Sequence, residues 1–417
     1  MLVLTELKRF KIFEKDKCIA RVADLAVDLL KGEYPAATEI FFWNEEREFV
    51  ALPWQDVVEI DSKRRRIYVS RGADAKSHSN EQLERRTLLV RDVLDALILD
   101  LQNRRVTRAN DLWLEKKGTQ LVLSHADFSN SAIFRRLSLG LWRRFSKRDL
   151  SDWQYVEFLK GDAALAVRRK ANYHLRIAKL APGEISQFID LVPYLHAAEL
   201  IALLPDELAA DVLELTSTEK QLQIFEEFDE QQHLKMLELL APETSAKIIK
   251  QLDENEAKRI LDALPRQKSE QILELLRYPE GTVGSIMTNV FMFVPAELTV
   301  GEAREYITEH IKKTDFVYFI YVVKDEMLKR LVGALSLRQL FMANADEKIS
   351  DVMDAYISFF SPLDDARTAS FRLIDSHLAA MPAVDSGGYI VGVLTIDAAV
   401  SAVAPRSWRD QAPRVFS

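Results

Sequence analysis

The chain has 417 residues, room for two to four domains of ordinary size. Apolar residues make up 48% and charged residues 29%, a globular usage that excludes a disordered or low-complexity chain. The formal charge of −8 is uneven: from Gly183 to Gly281 there are 21 acidic against 9 basic residues, so this stretch carries −12 and the remainder +4. Such asymmetry marks either a cation-attracting face or a solvated helical surface. The longest strongly apolar run, FVYFIYVV at 316–323, is far short of the 18 or so residues a membrane span needs. The N-terminus has no apolar core followed by small residues, so no signal peptide is expected. Cys18 is the single cysteine, which excludes an internal disulfide framework and a cysteine-clustered zinc site and fits a reducing, cytoplasmic compartment.

The first 140 residues read as β-rich, in two half-copies. KCIARVADLAVD aligns with RRVTRANDLWLE, which places Asp24 and Asp111 at matching positions. Two such halves suit a closed barrel, which leaves no exposed sheet edge. Arg135, Arg136, Arg143, Arg144, Lys147 and Arg148 follow, in a run that reads as a basic linker able to touch phosphates or anionic lipid.

From Pro193 to Leu276 the sequence repeats with a period near twelve, from PYLHAAELIALL to PRQKSEQILELL. In the twelve-residue units, positions 8, 9 and 12 are large and apolar: Leu200, Ile201 and Leu204; Met236, Leu237 and Leu240; Ile248, Ile249 and Leu252; Ile260, Leu261 and Leu264; Ile272, Leu273 and Leu276. That is the spacing of one helical face, and units opening with Pro, Asp or Thr suit helix starts. Each unit is therefore a helix of about two turns that buries its face by stacking on its neighbours.

After Tyr278 the pattern changes to β-α-β and is duplicated. Val332-Gly333 and Val391-Gly392 are 59 residues apart, and Met287 and Met353, heading the two halves, are 66 apart. Catalysis finds little support. The seven histidines are scattered without a zinc-binding pair, no nucleophile elbow exists, and the glycines of PEGTVGSIMT lack a following Gly-Lys-Ser/Thr. A weak divalent-cation site is better motivated, because Mg²⁺ needs few carboxylates and keeps its waters. Candidate ligands are Asp253, Glu254 and Glu256 on the repeat, Glu280 at the junction, and Asp365 and Asp375 on the second module.

Residues 183–403 resemble the cytosolic region of the MgtE magnesium transporter family. The likeness rests on the leucine-rich repeat, the junction RYPEGTVGSIMT, and the tandem modules FIYVV…LVGALSLRQL and AMPAVD…IVGVLTID, which resemble CBS domains. The N-terminal 140 residues are similar to a PRC-barrel. The implied fold is a multidomain α+β chain: 1–140 PRC-barrel-like β domain, 141–182 basic or helical linker, 183–280 MgtE N-type helical superhelix, 281–346 first CBS module, 347–405 second CBS module, 406–417 tail.

Transporting relatives continue into a linking helix and a membrane domain. Here Pro405 and Pro413 interrupt the tail, and a natural end is expected. The resemblance implies a non-enzymatic cytoplasmic regulator that senses Mg²⁺ or another divalent cation with low affinity. It also implies a CBS-mediated homodimer and a membrane metal-ion transporter as partner, which would bring the protein to the membrane periphery. No nucleic-acid partner is expected. In nucleotide-binding CBS domains an Asp three residues after a Ser or Thr holds the ribose. Ser336 and Thr395 keep the hydroxyl, but Gln339 and Ala398 replace the acid, so adenine nucleotide is expected to bind poorly. The alternatives are a nucleotide-responsive CBS module, a scaffold binding RNA or ribosomal protein through the basic run, and the cytosolic fragment of a full transporter.

Overall fold

The computed structural model describes residues 1–137, 150–162, 175–311, 317–327 and 329–404. The chain divides into two compact units, Met1–Asp229 and the part from Glu230 on, each described by itself.

The first unit opens with the expected strand-rich domain in two halves. In the first half, Lys11–Glu14, Lys17–Val27, Ala37–Trp43 and Phe49–Pro53 pair antiparallel in sequence order. A turn at Trp54–Asp56 leads to the hairpin Val57–Asp61/Arg66–Val69, which returns parallel to Lys11–Glu14. The second half runs Leu97–Asp100, Arg105–Arg108, Asp111–Lys117, Gln120–Asp127 and Leu150–Asp152, then a turn at Trp153–Tyr155 and the strand Val156–Leu159. This last strand pairs with Leu97–Asp100. Trp54 and Trp153 head equivalent turns and bury their rings in one core shared by both halves.

The β domain therefore continues past residue 140, through Leu159. The basic run is an insertion rather than a linker. A linker joins two bodies, whereas this stretch leaves one sheet at Asp127 and re-enters it at Leu150, the residue paired with Asp127. Arg135 and Arg136 fall in the Asn130–Leu137 helix, while Arg143, Arg144, Lys147 and Arg148 lie outside the described residues.

Asp24 and Asp111 explain how the halves hold together. Asp24 of the first half accepts from the Val90 and Arg91 amides at 2.7 and 3.0 Å, in the segment that leads into the second half. Asp111 of the second half accepts from the amide and hydroxyl of Thr5, in the segment that leads into the first. Each buried carboxylate anchors the other half's lead-in, satisfying backbone donors that would otherwise be orphaned in the core.

Four helices complete this unit: Pro182–Leu191, Tyr194–Leu203, Asp206–Glu214 and Thr218–Glu226. Buried Glu199 ties them to the β domain by accepting from the Lys160 and Gly161 amides at 2.6 and 2.5 Å, and burial pushes its carboxyl up to about 7.

The second unit begins with four more helices, Glu230–Leu239, Pro242–Ile249, Glu254–Ala263 and Arg266–Leu276. Most of the expected seam is buried. Leu273 is exposed, as suits the last helix of a stack, which lacks a following repeat to cover it. Lysines clasp the stack in both units. Lys220 donates to the carbonyl of Val192, Lys250 to that of Tyr278 and Lys268 to that of Leu240, each just past a helix end. A cation at that end meets unpaired carbonyls and the negative pole of the helix dipole.

Two α+β modules follow. The first has strands Phe293–Pro295, Ile320–Val323 and Leu331–Leu335 with helices Val300–His310 and Leu337–Met342. The second has helix Ala366–Asp375, strands Ala380–Val384 and Ile390–Thr395, and helix Ile396–Val403. Their openers are exchanged. Thr288, beside Met287, pairs both ways with Val393 of the second module, and Asp354, beside Met353, pairs both ways with Ala334 of the first. A Cβ on Gly392 would lie 2.5 Å from the Met287 sulfur and 2.8 Å from the Thr288 carbonyl; one on Gly333 would lie 2.6 Å from the Met353 sulfur and 2.8 Å from the Asp354 carbonyl.

Gly392→Ala should destabilise the second unit by about 1–3 kcal/mol through overpacking against backbone. Gly183→Ala, which meets open space, should fall within about 0.5 kcal/mol of wild type in the same urea titration.

Burial raises the Asp24 carboxyl to about 6, so the folded state holds this proton more tightly than the unfolded chain does. Its contribution to stability is complete at pH 3.8 and below and is lost as pH climbs toward 6. The stability of wild type relative to Asp24→Asn should therefore fall over that window, by about 3 kcal/mol at most. Urea unfolding at pH 4, 5, 6 and 7 measures it.

Candidate functional site

The two hydroxyls expected to face a ligand are placed equivalently, at the end of each module's last strand, and both cap the helix that follows. Ser336 Oγ accepts from the Gln339 amide at 3.2 Å, while Gln339 Oε1 accepts from the Ser336 amide and hydroxyl at 2.7 and 2.8 Å. This is a reciprocal capping box. The other end of the Gln339 amide donates to Asp354 Oδ2 at 3.0 Å. Thr395 Oγ1 accepts from the Ala398 amide at 3.3 Å, and Asp397 accepts from Tyr318 Oη at 3.0 Å.

Between the modules near Thr395, the space lined by Thr288, Phe291, Tyr318, Phe319, Tyr321 and Val393 amounts to about 10 Å³. That is barely the room for the centre of one water molecule, which needs about 10–15 Å³, and far short of a base. Aromatic rings fill most of this space. Burial pushes the Tyr321 phenol well above its ordinary range, so it stays neutral.

The expected metal ligands are spread out. Asp253 caps the Glu254–Ala263 helix, accepting from the Asn255 and Glu256 amides at 3.0 Å each. Glu254 and Glu256 occupy the first turn of that helix, where carboxylates favour the dipole. Glu280 is exposed at the junction. Asp365 caps the Ala366–Asp375 helix through the amide and hydroxyl of Thr368, at 2.8 and 2.6 Å, and these bonds hold its carboxyl below the ordinary range.

Asp375 ends the same helix. Ten residues of rise separate these two by about 15 Å, so they cannot share an ion whose bonds are about 2.1 Å long. Among the described residues no three acidic, histidine or cysteine side chains converge as ligands. What the structure does bring together is Asp365 and the junction. Asp365 bridges to Thr282; Val283 donates to the Asp364 carbonyl and Gly284 to that of Pro362; and Ala366 donates to the Gly281 carbonyl.

Residues 180–281 match the family model of the MgtE intracellular N domain, and residues 283–346 match that of the CBS domain. Among curated relatives, the magnesium transporter MgtE of Enterococcus faecalis is 31% identical over 124 residues, which is 30% of this chain and 27% of the relative. That of Bacillus subtilis is 29% identical over 130 residues, 31% of this chain and 28% of the relative. The chain thus spans under a third of the length of these relatives.

Two solved structures share its fold. The cytosolic domain of the Mg²⁺ channel MgtE in complex with ATP matches at TM-score 0.51 and 24% identity, covering 58% of this chain and 96% of that one. The soluble part of a magnesium transporter matches at 0.50 and 22%, covering 60% and 98%.

The packing around Ser336 generates a prediction about restored acidity. Gln339→Asp supplies the carboxylate that ribose-binding modules carry, but places it against Asp354. The change should lower stability by about 1 kcal/mol, from loss of the capping box and like-charge repulsion, and leave AMP affinity no better than wild type. Urea unfolding and calorimetric titration of AMP check the two halves of the statement.

Proposed function

We propose that this chain, carrying an MgtE intracellular N domain joined to CBS modules, is a regulatory sensor that responds to Mg²⁺ or another divalent cation and acts on metal-ion transport. Among the described residues no helix is long and apolar enough to cross a membrane, so transport itself belongs to a membrane partner or to a longer chain that includes these domains. The matched domains are those of transporter cytosolic regions and regulatory modules, and no catalytic role is proposed.

The observation that carries the reading is the strapped junction. Three backbone hydrogen bonds, two of them forming the β-bridge between Thr282 and Asp365, fasten the end of the helical repeat to the start of the second module's helix. A movement of the acid-rich repeat would therefore be handed to the CBS pair. Screening of the −12 stretch by a divalent ion supplies the force, and differential binding to a closed arrangement shifts the population. Millimolar affinity, about −4 kcal/mol, is enough for this task. Asp253, Glu254 and Glu256 would attract the ion on the repeat, with Glu280 and Asp365 beside the strap and Asp375 at the far end of its helix.

Small-angle scattering with and without 10 mM MgCl₂, ionic strength matched by KCl, tests this. The radius of gyration should fall with Mg²⁺ and fall less in Asp365→Asn/Asp375→Asn. An unchanged radius in wild type overturns ion sensing.

The CBS pair also exposes several large apolar side chains. Phe341, Met342, Tyr356, Phe359, Leu363 and Phe371 are exposed, with Tyr356 fully so. Exposed apolar side chains of this size are a liability where they cluster, and a second copy of the chain, by a two-fold contact, would cover them. Light scattering should give about twice the 47.8 kDa chain mass at micromolar concentration, and Phe371→Glu should shift it toward monomer.

A further inference from the structure

The outer face of the β domain's first half carries a row of like charge. Ile12, Val22, Phe42 and Ile67 belong to the core, so by strand alternation their neighbours Lys11, Arg21, Trp43 and Arg66 point outward. The register sets these four side by side. Lys11 stands opposite Arg66 on one side and opposite Arg21 on the other. Val22 pairs with Phe42, which brings Trp43 next to Arg21, and Trp43 pairs in turn with Phe49.

Neighbouring strands lie about 4.8 Å apart. That is inside the Debye length of about 8 Å at physiological salt, so the three cations feel one another. Like charges directly opposite across strands destabilise a sheet. No salt bridge to Lys11 or Arg21 is found among the described residues. Arg66 lays its guanidinium over the Phe13 ring, 4.6 Å from the centre, which pins its charge in the row.

The flanking turns add to the row. Segments 8–21 and 61–71 are joined by the parallel pairing of Lys11–Glu14 with Arg66–Val69. Together they hold 11 Lys/Arg against 3 Asp/Glu, a balance of +8 in a chain of −8. Two of those three acids are engaged in turns. Glu14 accepts from the Gly72 amide at 2.8 Å, and Asp61 accepts from the Lys63 and Arg64 amides at 3.0 and 2.9 Å. At the end of the row an apolar group is left to solvent: Trp43 is 59% exposed, and its ring leans on that of Phe49 with centres 5.0 Å apart.

Mutually repelling cations with an exposed indole at their edge fit a polyanion that also offers an apolar layer. A nucleic acid fits less well. Its bases need aromatic faces open among the cations, whereas Phe13 is buried beneath Arg66 and Trp43 stands at one end. A lipid surface meets both features: anionic headgroups attract Lys and Arg, and tryptophan settles where headgroups meet acyl chains.

We propose that this face of the β domain docks on an anionic lipid surface, with Lys11, Arg21 and Arg66 against the headgroups and Trp43 at the boundary with the acyl chains.

Vesicle co-sedimentation of the full chain tests it, in EDTA so that divalent ions play no part. Phosphatidylcholine vesicles with about 30% phosphatidylglycerol should bind at least tenfold more tightly than phosphatidylcholine alone, and should lose at least tenfold between about 0.1 and 0.5 M salt. A cation near a lipid surface contributes about fivefold. Lys11→Gln/Arg21→Gln should therefore weaken binding about twentyfold. Lys258→Gln/Arg259→Gln, which removes two exposed cations of the helical repeat, should change it less than about twofold. The double change in the row relieves repulsion, so its urea midpoint should hold or rise, and a lost affinity is then not a lost fold. Vesicles should shift the tryptophan emission of wild type to the blue, and Trp43→Phe should remove that shift; this readout decides if Lys11→Gln/Arg21→Gln fails to fold. Equal binding to both kinds of vesicle, or a blue shift that survives Trp43→Phe, would overturn the proposal. So would an unchanged affinity in Lys11→Gln/Arg21→Gln, which would move the contact to the basic insertion. Tighter binding to a single-stranded RNA of about 20 nucleotides that vesicles cannot displace would assign the face to nucleic acid instead.

Discussion

The sulfur of Met287 rests against the α-carbon of Gly392, and the rest of the CBS pair depends on that contact. No side chain fits between them, since even a methyl group would stand 2.5 Å from the sulfur. Because the backbones come so close, Thr288 and Val393 exchange two hydrogen bonds, and the same geometry recurs between Met353, Gly333, Asp354 and Ala334. The crossed openers bury Met287 and make each sheet's core partly the property of the other module. The junction with the helical repeat inherits its position from this crossing. Met287 follows the strapped segment by only a few residues, so its anchorage on Gly392 sets where Gly281 to Gly284 can reach the Ala366–Asp375 helix.

The β domain uses the same device with different chemistry. There two carboxylates, Asp24 and Asp111, reach across and hold backbone donors of the opposite half. Carboxylates suit lead-in segments whose amides find no strand partner, whereas glycine suits strands that already pair and need only proximity. The energetic difference shows in Asp24, whose burial makes ionisation costly, while the Met–Gly contact is indifferent to pH.

Much of this was legible in the sequence. The 59-residue offset of the Val-Gly pairs and the 66-residue offset of Met287 and Met353 announced a duplicated module, and the matching of Asp24 with Asp111 announced duplicated halves. The twelve-residue period gave the helices, because apolar spacing at i, i+1 and i+4 has one physical reading. The crossing was not legible, since a repeat reveals likeness and not which copy touches which.

The end of the β domain was missed because a basic insertion of some twenty residues hid the return of the chain; Trp153-Gln154, echoing Trp54-Gln55, was the available signal. The lysine clasps left no signal, as a lysine on a helix reads as solvated. Among candidate ligands, charge count could nominate Asp365 and Asp375 together, but helix rise separates them.

The exchange of openers also bears on descent. A pair of halves in which each supplies the other's missing piece is what two identical short chains would form around a two-fold axis. Joining such chains end to end changes none of their contacts; it converts an encounter between molecules into one within a molecule. In such a pair of identical chains one Met and one Gly would each serve twice. In a single chain every position exists twice and the two need not match: Ser336 and Gln339 of the first module answer to Thr395 and Ala398 of the second. Where the two modules touch, Met and Gly stand in both.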